Sequence, residues 1–169
     1  MKRILTLLSL LLFTFSALCQ SMKVEITGDV SFNNSQYTIG EAGEDFSPSI
    51  ESESSIYLSV DYTNYWDKVF NPNRKWKIHV HKADIKWNQN LVIEAKRSGN
   101  GSRPWYGTGM VKIGDGINFQ PITNAPTYFF NGRNEILNIP IVFKIRGASV
   151  IMGAQEFETN IILTVYDDW

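Results

Sequence analysis

The chain has 169 residues, 16 Lys and Arg against 17 Asp and Glu, 13% aromatic residues and one cysteine. Charges this balanced give no electrostatic case for nucleic acid, whose phosphates call for a basic excess, and a lone cysteine excludes an intrachain disulfide framework. The length suits a single domain with a core of useful size.

Lys2 and Arg3 precede an apolar run from Ile4 to Phe15, followed by Ser16, Ala17, Leu18, Cys19 and Gln20. A basic start, an apolar stretch and small residues at Ala17 and Cys19 predict a secretory signal peptide over residues 1–19. The run is too short for a spanning helix. A lipid on Cys19 is the rival reading, and the bulky Leu18 stands against it. The expectation is export to the periplasm, cell surface or extracellular space, with no transmembrane segment in the mature chain. Residues 20–169 then form one domain.

Beyond the leader the dominant period is two, the spacing of a half-buried strand. Val24, Ile26, Val30 and Phe32 alternate with polar residues. Gly40 to Ser55 reads as a loop, acidic through Glu41, Glu44, Asp45, Glu51 and Glu53. Ile56, Leu58, Val60 and Tyr62 resume the alternation. Tyr65 to Phe70 is the one short helical candidate, and Asn71-Pro72 ends it. Trp76, Ile78 and Val80 then face one way, with Lys75, Lys77, His79 and His81 opposite, so Trp76 is expected in the core. Leu91, Ile93 and Ala95 follow. Turns are expected at Ser98 to Ser102 and at Gly114-Asp115-Gly116. The last alternating runs are Ile139 to Ile145 and Phe157 to Tyr166. The latter is apolar on both faces, as in a central strand or a covered edge. Seven or eight antiparallel strands with one apolar face predict an all-β, immunoglobulin-like β-sandwich.

The C-terminal stretch NIPIVFKIRGASVIMGAQEFETNIILTVYDDW has a strand, a glycine-containing turn and an alternating final strand ending in Thr-Val-Tyr. This ending resembles that of secreted pilin-like subunits of the spore-coat-U fimbrial type. The cysteines often found in that family are absent here. The resemblance implies a surface or appendage protein that associates through strand edges. Val24, Ile26, Val30 and Phe32 would supply the associating strand, to a protein partner or a second copy.

His79 and His81, two apart on a strand, share a face, and Asp84 or Asp61 could add oxygen, but a third nitrogen or sulfur ligand is missing. Lys75 and Lys77 on that face disfavour a cation, so no metal is expected. Asp61 and Asp67 flank an aromatic stretch without a spacing that defines an acid–base pair. No nucleophile elbow, phosphate loop or dinucleotide fingerprint occurs, and no catalytic residue or cofactor is assigned. Tyr65-Trp66 and Trp105-Tyr106 lie in turn-like contexts. They either cap the two ends of the core or offer rigid apolar area to a ligand. The expectation is a non-enzymatic structural or adhesion protein. The alternative is a carbohydrate-binding module using Tyr65, Trp66, Trp105 and Tyr106.

Overall fold

The structure, a computed structural model, describes residues 22–32, 49–70, 73–105, 111–149, 152 and 155–168. The leader, most of the acidic loop and Tyr106 lie outside them. Along the chain come β1 (Met22–Thr27), β2 (Ser49–Glu51), β3 (Ile56–Tyr62), the short helix α1 (Tyr65–Phe70), β4 (Lys75–Lys86) and β5 (Val92–Arg97). They are followed by β6 (Lys112–Gly114), β7 (Gln120–Pro121), β8 (Thr127–Arg133), β9 (Ile136–Arg146) and β10 (Glu158–Asp168).

All strand pairs are antiparallel and form two sheets. The first has the order β1-β3-β9-β5-β7, with β2 also paired to β9. The second has the order β10-β4-β8-β6. Alternation puts Leu58 and Val60, Ile139 and Ile141, and Trp76, Ile78 and Val80 into one core between the sheets. Removing these side chains from water drives the sheets together.

Trp76 is fully buried, as expected. Its Nε1 donates to the Asn134 carbonyl at 2.7 Å, which satisfies the indole's polar atom. Gly132 sits opposite it on β8. A Cβ at Gly132 would lie 2.3 Å from the indole ring, so the tryptophan fits because that position has no side chain.

The pairings are nested. β3 pairs with β9, β4 with β8, and β5 with β7. The chain from β3 to β9 is thus one long hairpin wound into two sheets, the winding of a jelly roll. β1 extends the first sheet and β10 the second. This order departs from the expected immunoglobulin arrangement, in which the fifth long strand joins the second and fourth, and the sixth joins the third and seventh. From β3 to β10 every connection changes sheets and none turns within one, and the corner at Asn134 and Glu135 between β8 and β9 is one of these crossings. Asn134 takes a positive φ of 61° there, and its N–H donates to the Arg74 carbonyl at 2.8 Å.

The described residues hold ten strands against the seven or eight expected: β2 falls inside the stretch read as a loop, β6 and β7 were not anticipated, and three longer strands also differ from the sequence reading. β1 stops at Thr27, because Gly28 has φ 93°, so Val30 and Phe32 lie beyond it. β8 was not anticipated: a register shift between Ile78 and His79 marks a bulge that lets adjacent Phe129 and Phe130 both enter the core, which hides the alternation. β10 is an edge strand. Ile162 and Tyr166 on its outward face are part-exposed. No helix among the described residues is long and apolar enough to cross a membrane.

Candidate functional site

The two connections that carry the singled-out aromatics reach the same end of the sandwich, not opposite ends. α1 follows β3, whose Val60 stands opposite Ile136 at the start of β9. The connection after β5 is tied to the next β9 residue: Ser102 and Leu137 exchange backbone hydrogen bonds of 2.7 and 2.8 Å. Both connections therefore flank the start of β9.

Tyr65 and Trp66 sit on α1 with ring centroids 5.9 Å apart, edge to face. They are 70% and 64% exposed, and Trp105 is 91% exposed. Capping of the core does not describe side chains so open to solvent.

Buried charges anchor the bases of both connections. The Arg97 guanidinium donates through Nη1 to Asn100 Oδ1 at 2.6 Å and to the Gly99 carbonyl at 3.3 Å. Its Nε donates to the Asp115 carbonyl, which joins the connection to the turn after β6. On the other side, Lys68 of α1 donates to buried Glu135 at 2.5 Å. Burial pushes the Glu135 carboxyl above its ordinary range and neighbouring Asp61 adds to this, while Lys68 works in the opposite direction.

The register maps the outer face of the second sheet row by row. Asp168, Lys75, Arg133 and Lys112 form the row nearest the start of β9. Tyr166, Lys77, Asn131 and Gly114 form the next, and Thr164, His79 and Tyr128 the one after. The His79 ring meets Tyr166 at 4.9 Å and Tyr128 at 6.2 Å, edge on. Tyr128 donates to the Asp115 carboxylate, and Asn131 Nδ2 donates to the same oxygen at 3.1 Å. Burial, then the Asp115 carboxylate, raises the Tyr128 hydroxyl above its ordinary range. An open cleft of about 410 Å³ lies where the first two rows meet Asn100 of the β5–β6 connection.

His79 and His81 do share this outward face, as their spacing requires. Among the described residues no group of three or more His, Cys, Asp or Glu is placed to hold a metal ion. Asp61 accepts from the Tyr62 N–H at 2.7 Å and is held near Glu135, an arrangement that sequence spacing did not reveal.

Val24 and Ile26 are the two association residues that fall on β1, which is paired along its whole length with β3 of the same chain. Tyr128, Asn131, Arg133 and Lys112 were missed because two of their strands have doubled aromatics or three residues, too little for a period to show. No protein-family model, no curated protein and no solved structure matches this chain, so the likeness to fimbrial subunits rests on the sequence pattern alone.

Proposed function

We propose that the protein is an exported, non-enzymatic carbohydrate-binding module that uses Tyr65, Trp66 and Trp105 as its stacking surface. One observation carries this reading: two separate connections, tied to the same strand start, present these exposed aromatics at one end of the sandwich. Rings held on an anchored base offer flat apolar area with little side-chain entropy to lose, and the faces of a sugar ring are suited to it. The pairing of β1 within its own sheet removes a reason to assign that strand to a neighbour. Retention on polysaccharide gels under native electrophoresis tests the proposal. Trp66→Ala and Trp105→Ala together are expected to abolish retention while thermal unfolding is preserved. Each should cost about 2 kcal/mol, roughly thirtyfold in Kd. Unchanged retention in the double variant would refute the assignment.

A second reading, strand-mediated association with a protein partner or a second copy, is favoured by the edges. β1 and β10 are the outermost strands of their sheets, and β10 runs for 11 residues. β1 approaches β10, so part of that edge is covered within the chain, and the remainder is what another strand could pair with. Concentration-dependent oligomers in sedimentation velocity, lost when Ile162 is changed to Lys, would support it.

A further inference from the structure

The row Lys75, Arg133 and Lys112 places three cations directly opposite one another on adjacent strands. Like charges in such positions repel and cost stability. Elsewhere in the molecule basic side chains find carboxylates: Lys68 with Glu135, Lys82 with Asp84, and Lys144 and Arg146 with Glu94. Among the described residues no carboxylate forms an ion pair with Lys75, Arg133 or Lys112. Asp168, which faces Lys75 across the sheet, pairs instead with Lys77 at 3.5 Å. The chain carries a net charge of -1, so this row does not reflect a general basic excess.

These three side chains line the 410 Å³ cleft together with Asn100, Asn131 and Gly114. The cleft therefore has three cations, two amides and two positions without a side chain, Gly114 and Gly132; the Asp168 carboxylate also lines it but is paired with Lys77 of the next row, so an excess of positive charge remains. The amides suit hydroxyl groups, and the arginine fork suits a planar oxyanion bound through two oxygens. Beyond the cleft the same face continues into Tyr166, His79 and Tyr128, a band of rings in edge contact. Asn100 belongs to the connection that also carries Trp105. Charge lies in the cleft, and aromatic area continues from it along the sheet face.

We propose that the cleft binds the carboxylates of an acidic polysaccharide, a polymer of uronic acids, with Arg133 as the bidentate contact and Lys75 and Lys112 on either side. The inference rests on the carbohydrate-binding reading and names the charge class of its ligand. The row crosses three adjacent strands about 4.8 Å apart, so its cations form a line that an extended polyanion can follow. Repulsion within the row is relieved when anions enter.

Isothermal titration of the full chain tests this, with polygalacturonate and alginate as acidic probes. Fully methyl-esterified polygalacturonate serves as the uncharged counterpart and poly-glutamate as an acidic polymer without sugar. An acidic polysaccharide is expected to bind at least tenfold more tightly than the ester, and its affinity should fall as salt rises. Arg133→Gln with Lys112→Gln should lower that affinity at least tenfold and flatten the salt dependence. The same variant should unfold at an equal or higher temperature than the wild type, because repulsion has been removed. Equal binding of the acid and ester forms, or unchanged affinity in the variant, would overturn the anionic cleft while leaving the carbohydrate reading in place. Poly-glutamate binding as tightly as the polysaccharides would overturn the sugar component. An absence of binding to every polysaccharide, charged or neutral, would sink the carbohydrate reading itself.

Discussion

Individual buried residues pull this fold in different directions with pH. Glu94 is buried between Lys144 at 3.0 Å and Arg146 at 2.5 Å. Burial alone would raise its carboxyl, but the hydrogen bonds and charges of these two cations outweigh it and leave the group below the ordinary glutamate value. Its contribution to stability is therefore present above the unfolded-state value and is lost as pH falls through the folded one. Glu135 has the opposite sign. Burial and Asp61 hold its carboxyl above the ordinary value, so the folded state binds the proton more tightly and ionising the group near neutrality costs stability. Glu135→Gln removes that cost. The variant's stability relative to wild type should be more favourable at neutral than at mildly acidic pH, as read from urea denaturation at both. A difference that does not change with pH would show that Glu135 titrates normally. Trp76 is the largest fully buried side chain. Trp76→Ala should cost about 3–5 kcal/mol, a large share of the stability of a domain of this size, and a near-wild-type denaturation midpoint would contradict its place in the core.

At the scale of elements, the strands whose alternation runs unbroken were legible. The inward residues of β3 and β4, and Ile139, Ile141 and Phe143 of β9, are those that period two selects, and Trp76 follows from the same rule; Ile136, also buried, falls off that period where the β3–β9 register shifts. β8 was not legible, since a bulge that buries Phe129 beside Phe130 erases the alternation on which such reading depends. The end of β1 was misplaced because Val30 and Phe32 continue the apolar spacing past Gly28, and only the positive φ at that glycine shows that the chain has turned. β1 also has a residue that spacing overlooked: Met22 is fully buried opposite Tyr62. Deleting residues 22–27 should therefore empty part of the core and expose β3 as a new edge, destabilising the domain by at least the 2–5 kcal/mol of a buried methionine truncation. A truncated chain that keeps its melting temperature would show β1 to be a spare strand, as a donor of that strand to a neighbour would require.

At the scale of the whole molecule, the two-layer, all-β class followed from the sequence and the winding did not. Hydrophobic period states which face of a strand is buried, but not which sheet the strand joins. That choice is made in the connections, each of which from β3 to β10 changes sheets; at the Asn134–Glu135 corner the crossing comes with a positive φ and a hydrogen bond from the Trp76 indole. The candidate site was legible in its aromatics and illegible in its charges for the same reason. Tyr65, Trp66 and Trp105 are visible as residue types in turn-like contexts. The row Lys75, Arg133 and Lys112 exists only once three strands distant in sequence have been set in register.

The nested pairing also carries a kinetic consequence. Loop-closure entropy grows with the length of chain that must be brought together, and the three nested pairs enclose successively longer stretches. β5 and β7 close the shortest, β4 and β8 a longer one around it, and β3 and β9 the longest. Folding is therefore cheapest from the inside outward, and a topology so dominated by distant contacts belongs to the slow class. β1 and β10 can dock only after the strands they extend are in place. Until β10 docks, β4 keeps an open edge, and the acidic residues at the two ends of β10, Glu158 and Asp168, guard that last strand against premature pairing with another chain.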